Sequence, residues 1–333
     1  MTDFLPTNRC LSTLAETKPG VFFTAGAKRK LFQGKRVSPA LEFDRARFGV
    51  IRRENAGRIS ISGIQDKISL RLEKNRLVPA VENGEYILKP IPSLEGIDYL
   101  EDVPANEHVS MQIAEQVFRL PTAINGMIFF SDGSPAYLVR RFDRSPDTGK
   151  KLHQEDFCQL SGRSSDTNGP NYKYDSSYEE VGELLYRFCP AAPIEALKLF
   201  RQIIFNYLIG NGDAHLKNFS LLESRDGDMV LTPAYDLLST SVHFPNESRT
   251  ALELFQNFET PQFAANGFYS AADLQELGRR YNLPTKSIEG TLAEFRRSYP
   301  DVETLVKRSF LSKEAQQRYL AIVVDRLKAL EIE

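Results

Sequence analysis

Hydrophobic positions change their spacing about halfway along the chain. Between about Arg58 and Arg144 they alternate with polar residues or form short runs, as in "KISLRL" (67–72), "EYILKPI" (85–91) and "IFFSDGSPAYLVRRFD" (128–143). Such segments are typical of β-strands, and the last one predicts a hairpin around Asp132-Gly133. From about Tyr178 onward, apolar residues recur every three or four positions, which predicts a series of amphipathic helices.

One helix is predicted within the strand-rich half. In "PANEHVSMQIAEQVFRL" (104–120), Val109, Ile113, Val117 and Leu120 follow helical spacing. Asn106 is a suitable N-cap, because its side chain can accept a backbone N–H. Strands with one inserted helix, followed by a helical half, predict an α+β protein with two lobes and a cleft at their junction.

The pattern also suggests boundaries. Residues 1–57 form a short N-terminal segment whose elements the pattern does not place. Residues 58–144 are predicted to form the strand-rich N-terminal lobe, and residues 145–333 the helical C-terminal lobe. Residues 161–177, "SGRSSDTNGPNYKYDSS", are polar, which is typical either of a long functional loop or of a disordered linker.

Composition narrows the class of protein. The chain has 333 residues, 41% of them hydrophobic, and a net charge of −2, so no excess of basic residues favours direct binding to nucleic acid. No apolar run approaches the roughly 18 residues of a membrane span, and the first residues lack the apolar core of a secretory signal. Cys10, Cys158 and Cys189 are far apart and odd in number, as in a reducing compartment. A cytoplasmic protein is expected.

The densest polar cluster is "GNGDAHLKNFS" (210–220), directly after an apolar helical stretch. The following segment predicts a hairpin with its tip near Asp226-Gly227. That hairpin would bring Asn218 opposite Thr232–Pro233, with Asp236 just beyond, so Asp213, Asn218 and Asp236 should converge. An amide and a carboxylate suit Mg²⁺, and Asp213 would be free to accept a proton from a hydroxyl. D-x-x-x-x-N with a later Asp is the spacing of a protein-kinase catalytic loop.

Lys89, in "EYILKP", is the candidate phosphate ligand from the other lobe. A lysine on a strand can reach ATP phosphates if a carboxylate orients it. Glu107, in the first turn of the predicted helix, is the natural partner, and Glu115 is the alternative. Each residue also has a structural interpretation: Asp213 and Asn218 could cap turns, and Lys89 could be a solvated lysine at a strand end.

Taken together, the motifs resemble the HipA family of bacterial serine/threonine kinases, toxins of toxin–antitoxin pairs. The matching segments, in order, are "RISISGIQDK" (58–67), "YILKP" (86–90), "NE" (106–107), "RRFDR" (140–144), "QEDFCQ" (154–159), "NGDAHLKNFS" (211–220) and "TPAYDLLS" (232–239). The resemblance spans roughly residues 58 to 330. It implies a kinase-like fold and a requirement for ATP and Mg²⁺.

The resemblance also implies roles for individual residues. Asp213 would be the catalytic base, and Asn218 and Asp236 would hold Mg²⁺. For ATP, Gly63, Gln65 and Lys67 of the phosphate loop and Lys89 with Glu107 would bind phosphate, while Phe142 and Gln154 would line the adenine pocket. His215 and Lys217 would support the active site. Arg140 departs from the family, which has a glutamate there.

"RISIS" (58–62) places Ile59 and Ile61 on one face of a predicted strand and Ser60 and Ser62 on the other. By resemblance, Ser60 and Ser62 are sites of autophosphorylation. The doubled serine and the missing family N-terminal subdomain resemble the HipT kinases of three-component HipBST systems. That resemblance implies a small HipS-like antitoxin and a DNA-binding HipB-like antitoxin as partners. The implied substrate is an aminoacyl-tRNA synthetase, the tryptophanyl enzyme being favoured.

Three other functions compete with this interpretation. The first is a nucleotide-binding regulator of an antitoxin complex that has no catalytic activity. The second is a small-molecule or lipid kinase, because lipid kinases also use a G-D-x-H-x-x-N-like order. The third is a metallohydrolase using Asp213, His215 and Asp236, although the spacing of the histidines does not favour a two-metal site.

Overall fold

The computed structural model describes residues 8–54, 66–145 and 148–332. Its first half contains an antiparallel five-stranded sheet in the order β2-β1-β3-β5-β4. The predicted hairpin around Asp132-Gly133 is confirmed, since it joins β4 to β5 with Phe129 opposite Pro135. The predicted strand at 58–62 lies outside the described residues, and the short β2 was not predicted. The strands are β1 (Ile68–Glu73), β2 (Arg76–Pro79), β3 (Tyr86–Pro90), β4 (Asn125–Phe129) and β5 (Pro135–Arg140).

The N-terminal residues that the hydrophobic pattern could not place pack onto this sheet. They form two helices, α1 (Ala25–Phe32) and α2 (Arg45–Glu54). The ring of Phe32 lies 6.2 Å from that of Tyr86 on β3, and the ring of Phe48 lies 5.8 Å from that of Phe130. Residues 8–54 therefore share one hydrophobic core with the strands of the N-terminal lobe.

Helix α3 (Val103–Gln116) is the helix predicted inside the strand-rich half. It begins three residues before the predicted N-cap, with Pro104 in its first turn, where a missing N–H costs nothing. The prediction that Asn106 caps the helix is therefore wrong. Asn106 is fully buried within α3, and its amide exchanges hydrogen bonds with the backbone of Ser239: Nδ2 donates to the carbonyl at 2.9 Å and Oδ1 accepts the N–H at 3.1 Å.

The second half is mainly helical, as predicted. A small antiparallel sheet, β6-β7-β8, lies beside the helices. The amphipathic helices predicted from about Tyr178 onward are present as α6, α7, α9, α10 and α12, whereas α4, α5, α8 and α11 were not predicted. The elements are β6 (Gln154–Asp156), α4 (Phe157–Leu160), α5 (Ser165–Asn168), α6 (Tyr178–Phe188), α7 (Ala192–Ile209), β7 (Ser220–Glu223), β8 (Met229–Leu231), α8 (Pro261–Asn266), α9 (Ala271–Arg280), α10 (Thr285–Arg296), α11 (Tyr299–Arg308) and α12 (Lys313–Leu330).

Two hydrophobic cores hold this α+β fold together. One lies between the five-stranded sheet and the N-terminal helices, and the other is built around α7, whose residues from Ile203 to Ile209 are all buried. Helix α3 lies between the five-stranded sheet and the helical half, in contact with β4 and β5 and with α11, and every residue from Val103 to Ala114 is buried. No helix among the described residues is long and apolar enough to span a bilayer.

Candidate active site

The polar cluster begins where α7 ends. Gly210 terminates the helix in the left-handed conformation (φ 67°), which glycine adopts at little cost. A side chain at this position would also collide with Ile322 and Ser241, because an added Cβ would lie 2.7 and 2.9 Å from their atoms. The following residues turn sharply and end in a single 3₁₀ turn, Leu216–Asn218, which leads directly into β7.

Asn218 and Asp236 meet across the predicted hairpin. Strands β7 and β8 pair with Leu221 opposite Leu231, and the turn closes around Gly227, whose N–H donates to the carbonyl of Ser224, close to the predicted tip. Continuing this register places Asn218 beyond the predicted Thr232–Pro233, so the predicted register was off by one to two residues. Of the three residues predicted to converge, Asn218 and Asp236 are in contact: Nδ2 of Asn218 lies 3.5 Å from Oδ2 of Asp236.

Lys89 crosses the cleft and joins the two lobes. It lies on β3 opposite Tyr137 of β5, and its Nζ contacts both Oε1 of Glu107, at 2.6 Å, and Oδ1 of Asp236. Of the two carboxylates considered from sequence, Glu107 is the partner. Glu115 instead forms a surface ion pair with Lys30 at 2.8 Å, because it lies two turns further along α3.

Burial makes the charges of this triad interdependent. Burial raises the pKa of Glu107 to about 7, against the opposing charge of Lys89. Burial alone would lower the pKa of Lys89, but the carboxylates of Asp236 and Glu107 outweigh it and raise that pKa. Burial alone would raise the pKa of Asp236, but the positive charges of Lys89 and Lys67 outweigh it and lower that pKa below its ordinary value. Lys89 and Asp236 are therefore charged at neutral pH.

The loop of Asp213 is held by a buried asparagine that sequence reasoning treated only as a turn residue. Oδ1 of Asn211 accepts the backbone N–H of Asp213 at 3.2 Å, and its Nδ2 donates to Oδ1 of Asn206 at 2.8 Å and to the carbonyl of Asp236 at 3.4 Å. Asn211 thus ties the candidate base to the candidate metal ligand. No sequence signal distinguishes this role from that of a turn residue.

Two further groups surround the carboxylate of Asp213. The hydroxyl of Tyr174 donates a hydrogen bond to Oδ1 of Asp213, and Nε2 of His215 lies 3.8 Å from the same oxygen. Burial lowers the pKa of His215 to about 4 despite the nearby Asp213, so the imidazole is neutral at pH 7. Its backbone N–H donates to Oδ1 of Asn218 at 3.1 Å. His215 therefore supports the loop and carries no charge there.

Both other predicted lysines lie near the triad. Nζ of Lys217 lies 3.8 Å from Oδ2 of Asp156. Lys67 is close enough to Asp236, Lys89 and Glu107 for their charges to affect its pKa, which burial lowers overall. Each of the three lysines therefore lies beside at least one carboxylate.

The residues predicted to line an adenine pocket come together around Tyr235, which the sequence did not indicate. The ring of Phe142 lies 5.6 Å from that of Tyr235. Nε2 of Gln154 donates to Oγ of Ser220 at 3.2 Å, and that hydroxyl lies 2.5 Å from the hydroxyl of Tyr235. Arg140 is not part of this group, because its guanidinium donates to the carbonyl of Lys30 at the surface.

Four of the predicted residues, Ser60, Ser62, Gly63 and Gln65, lie outside the described residues. The described part of the chain contains no cluster of three or more His, Cys, Asp and Glu residues that could hold a metal. A histidine-based metallohydrolase site is therefore not formed by Asp213, His215 and Asp236.

Asn218 and Asp236 are the residues that would hold a magnesium ion, because they supply an amide oxygen and a carboxylate. Two adjacent ligands of an octahedral Mg²⁺ are about 3 Å apart, given bond lengths of about 2.1 Å. The 3.5 Å between the facing atoms of Asn218 and Asp236 is close to that spacing. Asn218 would have to turn its amide so that the oxygen faces Asp236, and Oδ1 would then release the N–H of His215.

Comparison with known proteins identifies the family. The model described as the HipA-like C-terminal domain matches residues 59–302. The chain belongs to this family. A Haemophilus influenzae protein named "Putative kinase" is 28% identical over 306 residues, which are 87% of each chain. The serine/threonine-protein kinase toxin HipA of Shewanella oneidensis is 28% identical over 239 residues, which are 68% of this chain and 53% of that protein.

Solved structures agree on the fold. Shewanella oneidensis HipA, in a complex with HipB and operator DNA, superposes with a TM-score of 0.62 at 22% identity, covering 82% of this chain and 65% of that one. The Helicobacter pylori proinflammatory kinase CtkA superposes with a TM-score of 0.52 at 13% identity, covering 82% and 91%. The two-part α+β architecture is thus that of HipA-like proteins, a family whose named relatives here are kinases. The chain spans about half of the Shewanella toxin.

Proposed function

We propose that the protein is an ATP- and Mg²⁺-dependent serine/threonine kinase that acts as the toxin of a toxin–antitoxin system. One observation carries the proposal: Lys89 of one lobe contacts Glu107 and Asp236 at the point where Asp236 faces Asn218. An ion pair that only stabilises the fold requires neither the adjacent amide of Asn218 nor the neighbouring loop that carries Asp213. Phosphoryl transfer requires all of these groups in one cleft.

The roles follow from the chemistry of each side chain. Lys89, oriented by Glu107, would bind phosphate oxygens, assisted by Gly63, Gln65 and Lys67. Asp213 would accept the proton of the acceptor hydroxyl.

Asn218 and Asp236 would hold Mg²⁺, which neutralises charge on the transferred phosphoryl group. Phe142 and Gln154 would bind adenine beside Tyr235. His215, in its neutral form, would hold the loop that carries Asp213, together with Lys217.

Partners and substrate are inferred from the family. The Shewanella relative forms a complex with HipB and DNA, which supports a DNA-binding HipB-like antitoxin as partner, so that contact with DNA would be made by the antitoxin. The resemblance to HipT kinases adds a small HipS-like protein. We infer that the acceptor is an aminoacyl-tRNA synthetase, with the tryptophanyl enzyme as the first candidate, and that the protein works in the cytoplasm.

Autophosphorylation at Ser60 and Ser62 is part of the same proposal. A phosphoserine adds about −1.5 to −2 charges, which would repel nucleotide phosphate if it stood beside the phosphate loop. Mass spectrometry after incubation with ATP and Mg²⁺ tests this directly. An unmodified 58–67 peptide from an active sample would remove the serine switch.

The central experiment incubates the purified protein with a cell extract and γ-labelled ATP, and identifies the labelled protein. Label transfer should be lost in Asp213→Ala and Asn218→Ala and retained in Asp226→Ala, an exposed aspartate at the tip of the β7–β8 hairpin. A non-catalytic regulator would bind ATP but label nothing. A small-molecule or lipid kinase would label only the low-molecular-weight fraction.

A further inference from the structure

The phenol of Tyr174 is bonded to the carboxylate of Asp213, the group that would accept a proton from the acceptor hydroxyl. Its hydroxyl donates to Oδ1 of Asp213, and its ring stands edge-on against the imidazole of His215, with centroids 5.1 Å apart. The side chain of Asp213 is otherwise half exposed. The contact therefore covers one of the two carboxylate oxygens of Asp213.

Neighbouring residues of the same loop are attached to the segment that carries Asp213. The carbonyl of Lys173 accepts the backbone N–H of Leu216 at 3.2 Å. Nζ of Lys217 lies 5.7 Å from the centre of the Tyr172 ring. The two residues before Tyr174 therefore contact the segment that carries Asp213, Lys173 through its backbone and Tyr172 through its side chain. The contact between Tyr174 and Asp213 is part of this larger set of contacts.

Glu180 forms hydrogen bonds near both ends of the loop that carries Tyr174, residues 161–177. It accepts two hydrogen bonds from the guanidinium of Arg163, at 2.7 and 2.8 Å, and one from the hydroxyl of Ser176 at 2.8 Å. A bidentate arginine–carboxylate pair is among the stronger polar contacts in proteins. The intervening residues therefore form a closed loop that presents Tyr174 to the candidate base.

The phenol remains a donor over the physiological pH range. Burial, and then the hydrogen bond to Asp213, raise the pKa of Tyr174 above its ordinary value. A general base must lie within hydrogen-bonding distance of the hydroxyl whose proton it accepts. A protonated phenol on the same oxygen competes with that hydroxyl for one position.

We propose that Tyr174 is an acceptor mimic, which occupies the acceptor-hydroxyl position on Asp213 and must leave before a protein serine or threonine can bind there. This inference rests on the proposed kinase function and adds a control over acceptor access to it. The loop would then respond to the acceptor protein, since productive binding requires displacement of Tyr174 from Asp213.

The contact is tested first without any assay of activity. Carboxylates are labelled with a carbodiimide and glycine ethyl ester, and modification of Asp213 is quantified by mass spectrometry. Tyr174→Phe removes only the hydroxyl, and the loss of one hydrogen bond should raise labelling of Asp213 about two- to tenfold. Tyr186→Phe is the matched control, because it also removes one tyrosine hydroxyl and its hydrogen bond, in this case to the carbonyl of Tyr281 at 2.8 Å. Equal labelling in wild type and Tyr174→Phe would overturn the inference.

The consequence is tested with ATP and dephosphorylated casein as a generic acceptor. Tyr174→Phe should increase kcat/KM for casein about two- to tenfold, mainly through a lower KM, and Asp213→Ala should abolish transfer in both backgrounds. A lower kcat at unchanged KM would instead make Tyr174 a residue that orients Asp213. Phosphate found on Tyr174 would make it an acceptor. Either result overturns the proposal.

The two assays separate this inference from the proposed function. In one outcome, phosphate transfer depends on Asp213 while Tyr174→Phe changes neither the transfer nor the labelling of Asp213. That result would support the proposed kinase function and contradict the proposal that Tyr174 mimics the acceptor. If neither casein nor any protein of the cell extract is phosphorylated, the proposed function fails, and the labelling alone then decides whether Tyr174 shields Asp213.

Discussion

Lys89 forms an ion pair with Asp236, a residue 147 positions later in the chain. The lysine lies on a strand of the N-terminal lobe and the aspartate follows a hairpin of the C-terminal lobe. Asp236 adopts a positive φ of 54°, uncommon for a residue other than glycine. A strained backbone that directs a carboxylate at a buried lysine is characteristic of a functional site.

Removing that lysine should be costly. Lys89→Met leaves buried Glu107 without its cation, and we expect the free energy of unfolding to fall by about 3–5 kcal/mol. The double variant Lys89→Met/Glu107→Gln, which removes the uncompensated carboxylate, should recover part of this loss. Chemical denaturation of the three proteins measures it. Equal midpoints for wild type and Lys89→Met would contradict the ion pair.

Asn211 should matter for activity more than for stability. Asn211→Ala removes the acceptor for the N–H of Asp213 and the donor to the carbonyl of Asp236. Residues that orient active-site groups typically contribute about 10–100-fold, so kcat for phosphoryl transfer should fall by that factor with little change in KM for ATP. Steady-state kinetics with thermal unfolding tests this. A variant that is less stable but keeps its kcat would show that Asn211 is only structural.

Replacing Asn106 tests whether its side chain binds the backbone of Ser239 or caps α3. An N-cap contributes about 1 kcal/mol. Asn106→Ala would instead leave the N–H of buried Ser239 unpaired and remove one of the two donors to its carbonyl, the other being the N–H of Val242, at a cost of about 2–3 kcal/mol. Asn246→Ala, at an exposed asparagine, should change stability by less than about 0.5 kcal/mol. Urea denaturation distinguishes the two values, and a loss of only about 1 kcal/mol for Asn106→Ala would favour the capping role.

His108 should make the fold sensitive to acid. It is fully buried, with Nε2 bonded to the carbonyl of Ser12 at 3.0 Å and no partner for Nδ1 among the described residues. Burial lowers its pKa from 6.5 to about 4, so the unfolded chain binds the proton more readily than the folded one. Its contribution of about 3 kcal/mol is present above pH 6.5 and is lost as the pH falls toward 4.

His108→Gln preserves a nitrogen donor for Ser12 and removes the titration. The free energy of unfolding of this variant should therefore decline less than that of wild type between pH 6.5 and 4. The comparison is made by urea denaturation at a series of pH values. Parallel pH profiles for the two proteins would show that His108 titrates alike in the folded and unfolded states.

Much of the site was predictable because its residues are dense in the sequence. Asp213 and Asn218 lie five positions apart, and the hairpin that brings Asp236 back to them has a strong turn signal at its tip. The preference for Glu107 over Glu115 is confirmed, because the N-terminal part of α3, which carries Glu107, is the part that reaches Lys89 of β3. The sequence did not predict the roles of Asn211, Tyr174 and Tyr235, because the residues next to an asparagine or tyrosine in a loop do not indicate which distant side chain it will contact.

The strand-rich first half, the helical second half, the two hairpins and the polar cluster after α7 were determined by the sequence, because periodicity and turn residues express local backbone preferences and burial. Only the tertiary structure decided that α1 and α2 complete the N-terminal lobe, that Asn106 binds Ser239 rather than capping α3, and that Tyr174 covers Asp213. Each of these depends on side chains far apart in the chain, whose pairing is set by how the two lobes pack and not by any pattern within one segment.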